Sequence, residues 1–148
     1  MEISSTFREI LRSFLSEQVQ FLVIGGYAVI AYGHPRMTKD LDLWVECSEE
    51  NAERITEALE SLGVVLPPTV QSQLHSPSQL VVLGNEPDRI DIVTGIRDFD
   101  FSAFEKRKKV ISLDGISVPF VGLEDLRQLK AAAGRFQDLA DLENLPKE

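Results

Sequence analysis

One cysteine, two histidines and no long apolar run stand out among the 148 residues as what this sequence has little of. A lone Cys47 excludes an intramolecular disulfide framework, and with only His34 and His75 beside it there is no zinc-ligand spacing. Any metal is therefore expected on oxygen donors. The longest mostly apolar stretch, Phe21 to Gly33, contains an adjacent glycine pair and falls well short of the roughly 20 residues a membrane-spanning helix needs. The opening MEISSTFREILRSF interleaves charges with apolar residues and lacks the basic end and apolar block of a secretory signal, so the expectation is a cytoplasmic protein without a membrane segment. Positive charge is also scarce. Fifteen Lys and Arg against 24 Asp and Glu give a net charge of −9, which disfavours a broad basic surface for nucleic-acid backbones and leaves room only for a local basic groove. Arg36, Arg89, Arg97 and Lys130 are candidates for such a groove. The dense cluster Lys106 to Lys109 reads as a solvated helix end or edge strand.

What is present is enough apolar material, 43%, for one core, so the expectation is a single domain over residues 1–148. Phe7, Ile10, Leu11, Phe14 and Leu15 recur at helical spacing and predict a helix over about 4–18. Phe21 to Ile24 reads as a buried strand stopped by Gly25-Gly26, with a helix over about 26–33 following at once. Lys39 to Glu46 alternates, placing Leu41, Leu43 and Val45 on one side and Asp40, Asp42, Trp44 and Glu46 on the other. Ser48, with Glu49 and Glu50 after it, caps a helix that ends at Gly63. Residues 67–78, rich in Pro, Ser and Gln, read as a loop, and strands over about 79–84 and 89–94 form a hairpin. A second hairpin turns at Asp114-Gly115, where Pro119 suggests an edge strand. Asp98 and Asp100 precede a helix over about 101–108 and read as caps. From Leu123 to Leu145 the pattern is helical, divided near Gly134.

The period-two strand carries the chemistry. Asp40 and Asp42 project from one face and can share a metal, whereas an Asp-x-Asp pair alone is as well explained by two solvated charges. Their surroundings favour a site. Gly25-Gly26 at a helix start lets a phosphate approach bare backbone, and Arg36 and Thr38 supply a cationic fork and a hydroxyl, unless they are ordinary loop residues. Asp91, between Ile90 and Ile92, offers a third carboxylate. Three carboxylates in this order suit two-metal nucleotidyl transfer with magnesium. Trp44 shares the Asp face and either lines the pocket or packs beneath a helix. Tyr27 faces a similar choice between a nucleobase and the core.

The stretch FLVIGGYAVIAYGHPRMTKDLDLWV resembles the signature of the polymerase β nucleotidyltransferase superfamily: a glycine pair, then Arg-x-Thr-x-Asp-x-Asp, and later an isolated Asp in an apolar strand. LEDLRQLKAAAGRFQDLADLENL is similar to the C-terminal helical segment of the small bacterial and archaeal members, which include toxin components of toxin–antitoxin pairs and aminoglycoside nucleotidyltransferases. The resemblance implies a mixed α/β (α+β) fold: a twisted sheet flanked by helices, with a short helical C-terminal segment. It also implies a nucleoside triphosphate as substrate, magnesium on Asp40, Asp42 and Asp91, a hydroxyl acceptor (an RNA end, a protein side chain or a small molecule), and a cognate antitoxin as partner. Lys130 and either Asp138 or Asp141 carry over as nucleotide-binding residues. On a continuous helix, positions 130, 134 and 138 share a face, so Lys130 either reaches phosphates or is an exposed partner of Asp138 or Glu124. Gly26 departs from the pattern, standing where many members place a phosphate-touching serine. A non-catalytic member that binds nucleotide or a partner protein is the alternative reading.

Overall fold

The computed structural model describes residues 2–147. Its elements run α1 (Ser5–Ser16), β1 (Phe21–Ile24), α2 (Gly25–Ala31), β2 (Asp40–Val45), α3 (Glu49–Glu60), α4 (Pro68–Gln73), β3 (Leu80–Leu83) and β4 (Arg89–Val93). There follow α5 (Phe101–Lys106), β5 (Lys109–Leu113), β6 (Ile116–Phe120), α6 (Leu123–Ala133) and α7 (Phe136–Asn144). The strands form one mixed sheet in the order β3-β4-β2-β1-β6-β5.

Local chemistry explains most boundaries. The Ser4 hydroxyl accepts from the Phe7 N–H at 3.2 Å to start α1, whose stripe Phe7, Ile10, Leu11 and Phe14 is buried. Ser48 caps α3 in the same way through Asn51 N–H. The Asn51 side chain, 1% exposed, accepts from Gln20 N–H at 2.8 Å and donates to the carbonyls of Gln20 and Glu46, pinning the start of β1 to the end of β2. Leu41, Leu43 and Val45 are fully buried and join one core with the stripes of α1 and α3. The opposite face of β2 carries Asp40 and Asp42, and beyond them Trp44, whose ring meets Phe101 and Phe104 edge-on as α5 closes over it. Trp44 is thus a packing residue at 1% exposure.

Three expectations change. Residues 67–78 are not all loop: Pro68 opens α4 at a position where its missing N–H costs nothing, and flanking Leu66 and Leu74 are buried anchors. Pro119 does not mark an edge, because β6 lies between β1 and β5. Its pairing with β1 is confined to Val23 opposite Phe120, with Val121 N–H donating to the Val23 carbonyl at 3.1 Å, so the short ladder tolerates a residue without a donor. Of the two aspartates before α5, Asp100 caps it through Ala103 N–H, whereas Asp98 takes a positive φ of 72° in the preceding turn.

Candidate active site

Strand pairing brings the carboxylates together. β2 and β4 run parallel with Asp42 opposite Asp91 and Asp40 opposite Arg89, so all four side chains share one face of the sheet. Carboxylate oxygens of Asp40, Asp42 and Asp91 lie within 4.8 Å of one another. Burial pushes the Asp42 carboxyl up to about 8, helped by the charges of Asp40 and Asp91 and a hydrogen bond with Asp40, against an opposing pull from Lys130. An all-oxygen donor set in which like charges crowd a half-buried point is the environment a hard divalent cation relieves. The residues present therefore fit a hard divalent cation.

Gly25 makes this crowding sterically feasible. It sits at φ +71°, and a Cβ there would lie 2.0 Å from Asp42 Oδ2. Gly26 plays a related part: a Cβ would lie 2.5 Å from Thr38 Oγ1 and 3.2 Å from an Arg36 guanidinium nitrogen. The second glycine thus makes room for the loop before β2 to lie against the start of α2. Thr38 donates to the Asp40 carbonyl at 3.3 Å.

Arg36 is already engaged, its Nε and Nη2 donating to the two oxygens of Asp141 at 2.8 and 3.0 Å. Helices α6 and α7 are not continuous. Gly134 ends α6 in the left-handed conformation at φ +64°, and the chain reverses so that Lys130 Nζ reaches both Asp138 (3.1 Å) and Asp141 (3.0 Å). Lys130 is consequently 6% exposed: of the second alternative the pairing with Asp138 is present but the exposure is not, and Glu124 pairs instead with Arg127 at 3.7 Å. Asp138 also receives Arg135 Nε at 2.7 Å. Burial raises both aspartates, but hydrogen bonds outweigh it, from Arg135 and Lys130 at Asp138 and from Lys130 and Arg36 at Asp141, holding each below its ordinary value.

Arg135 escaped the reading of the sequence altogether, and Arg89 was expected only as a member of a local basic groove, not as a partner of Asp91. Arg89 grips Asp91 through Nε at 2.7 Å and Nη2 at 3.1 Å; its signal was the i, i+2 spacing on a strand. Arg135 signalled itself only as the residue three before Asp138. Arg36, Arg89 and Lys130 line the cleft over the carboxylates, and Arg97 is not among its lining residues. Tyr27 packs edge-on against Phe7 at 5.7 Å, and burial, then the charge of Asp40, raises its hydroxyl pKa. A groove of about 460 Å³ between α3 and α4, bordered by Glu53, Glu57 and His75, shares no lining residue with the cleft.

A mixed sheet with two carboxylates on an inner strand, a third on its parallel neighbour and a glycine pair at the start of the helix after β1 is the arrangement of a nucleotidyltransferase fold. The chain belongs to the family described as nucleotidyl transferase of unknown function (DUF2204), whose model matches residues 3–147. Among solved structures it is similar to TM1012, a candidate nucleotidyltransferase from Thermotoga maritima, with 20% identity and a TM-score of 0.63 over 93% of this chain and 88% of that one. It is also similar to ANT(2″)-Ia in complex with adenylyl-2″-tobramycin (14% identity, TM-score 0.61, 93% and 83% covered). A third likeness is to the lincosamide antibiotic adenylyltransferase LnuA bound to lincomycin (14% identity, TM-score 0.59, 96% and 95% covered). At these identities the likeness concerns the fold. No curated protein matches the sequence.

Proposed function

We propose that this protein transfers a nucleoside monophosphate from a magnesium-bound nucleoside triphosphate to a hydroxyl acceptor. The observation that supports this best is the convergence of Asp40, Asp42 and Asp91 from adjacent strands within 4.8 Å, with Asp42 wedged over a glycine that has no alternative. Such crowding of like charge is costly without a cation and pointless in a purely structural sheet. A divalent cation held by these three residues supplies charge that neutralises the phosphate oxygens and lowers the pKa of an attacking hydroxyl.

The remaining roles belong to the chain itself. Backbone N–H groups at Gly25 and Gly26 and the Thr38 hydroxyl face the phosphates, and Arg36 and Lys130 add positive charge. Asp138 and Asp141 hold Lys130 in the cleft wall so that its ammonium need not be ordered when the nucleotide arrives. Asp91 takes the acceptor proton once Arg89 yields one of its oxygens. The test is calorimetry with each common ribonucleoside triphosphate, with magnesium and with EDTA. Magnesium-dependent binding that Asp42→Asn abolishes is the expected result, and absence of binding for every triphosphate would refute the reading.

A further inference from the structure

The cleft has two lobes that meet at the carboxylates, one of about 520 Å³ and one of about 330 Å³. They share the three aspartates together with Gly25, Lys130, Arg135 and Asp138. Away from this seam their walls differ in kind. The larger lobe is walled by Arg36, Thr38, Lys39, Glu86, Arg89 and Gln137, with Gly26 and Met37 as its apolar members. Every residue that lines only the smaller lobe is apolar, including Leu80, Val93, Ile96, Leu126, Leu129 and Ala133.

Reaction geometry assigns the lobes. Displacement at an α-phosphorus is in line: the new bond forms opposite the bridging oxygen that departs. The β- and γ-phosphates carry most of the charge and belong among the cations of the larger lobe, which leaves the α-phosphorus at the seam. The attacking oxygen must then arrive from the opposite side, and that side is the apolar lobe.

Resting on the nucleotidyl-transfer reading, we infer that the apolar lobe seats the acceptor and that the acceptor is a small, uncharged alcohol with an apolar face. Beyond the charged seam, its wall adds no further carboxylate for a polycation and no further cation for a nucleic-acid backbone. Its volume lies at the small end of the range for pockets that hold single small molecules. In the step itself the acceptor oxygen bonds to the α-phosphorus and its proton passes to a seam carboxylate and on to solvent. The α–β phosphorus–oxygen bond breaks, and pyrophosphate leaves with the electron pair into the polar lobe.

The test uses the full chain with magnesium and a non-transferable α,β-methylene triphosphate, observed through the methyl NMR signals of Leu80, Val93, Ile96, Leu126 and Leu129. Monomeric octyl glucoside serves as the probe, and methyl glucoside, with equivalent ring hydroxyls but no long apolar face, as its control. Saturable shifts of these methyls with octyl glucoside, at roughly tenfold or more higher affinity than the control, are expected. Tobramycin and a short single-stranded RNA should leave them unmoved. Leu80 is 52% exposed, so Leu80→Gln is expected to fold; it should weaken octyl glucoside binding by about tenfold while nucleotide affinity stays within about twofold. The inference is overturned if methyl glucoside, tobramycin or RNA binds as well as the probe, or if the nucleotide alone shifts Leu126 and Leu129 and blocks the probe, which would place the nucleobase there. Loss of all magnesium-dependent nucleotide binding would instead count against the nucleotidyl-transfer reading itself.

Discussion

Arg36 and Asp141, 105 residues apart, meet in a two-pronged ion pair at 2.8 and 3.0 Å, and Asp141 is completely buried. This pair fastens the loop before β2 to α7, so the segment that delivers the aspartates and the segment that delivers Lys130 are one mechanical unit. Asp141→Asn keeps the shape but leaves Arg36 and Lys130 short of a counter-charge. Breaking a buried pair from one side costs about 3 kcal/mol or more. Urea unfolding of the metal-free protein should show a loss of this order, and a change under about 1 kcal/mol would mean that the pair is no more than a surface contact.

Two glycines with positive φ separate backbone cost from site cost. Gly33, at φ +104°, has open space where a Cβ would go, so Gly33→Ala should cost only the strain of the left-handed backbone, about 1–2 kcal/mol. Gly25→Ala adds a clash with Asp42 Oδ2. It should destabilise more and also weaken magnesium affinity by an order of magnitude or so, because Asp42 must swing away. Equal magnesium affinity in Gly25→Ala and the parent, measured by calorimetry, would show that Asp42 does not hold the ion.

The carboxylates also set opposite pH trends. Asp42, raised in the folded state to about 8 from an ordinary value of 3.8, favours the fold while protonated. That stabilisation is complete below about pH 4 and disappears as pH rises through 8, so the metal-free protein should lose several degrees of melting temperature over this window. Asp138 and Asp141 are lowered in the folded state, and their contribution, present above the ordinary carboxylate range, is lost as pH falls below it. Melting scans in EDTA should therefore decline at both ends, and Asp42→Asn should flatten the alkaline side alone. An unchanged alkaline slope in that variant would contradict the assignment to Asp42.

Lys130 now has two jobs to separate. Truncation in Lys130→Ala leaves two buried carboxylates facing each other without their shared cation, a loss of about 3 kcal/mol. Lys130→Ala combined with Asp138→Asn removes the surplus negative charge and should recover part of that stability. Nucleotide affinity should remain weakened by about tenfold or more in both variants if the ammonium meets phosphate. Recovery of affinity together with stability would make Lys130 a structural cation only.

Much of the local structure was legible in the residues. The alternation from Lys39 to Glu46 places Asp40 and Asp42 on one face whatever the rest of the chain does, because a strand's side chains alternate by covalent geometry. Ser48 and Asp100 announce helix starts for the same short-range reason, and Asp114-Gly115 announces its turn. Asp91 was expected beside Asp40 and Asp42, but the direction and register of the pairing were not legible. That β4 lies parallel to β2 with Asp91 opposite Asp42 depends on a register between segments some 50 residues apart, chosen by burial of Leu41, Leu43, Ile90 and Ile92 together. Pro119 misled because its missing donor matters only if the neighbouring strand runs alongside it for more than one residue pair. The sequence left Lys130 open between cleft and solvent because charge in a sequence says nothing of which side chains a reversal at Gly134 brings together: two aspartates from the next helix lie within 3.1 Å and make burial of the ammonium affordable. Local periodicity follows from bond geometry and is written every two to four residues; partners and burial follow from long-range packing, which is settled only when the whole chain has closed on its core.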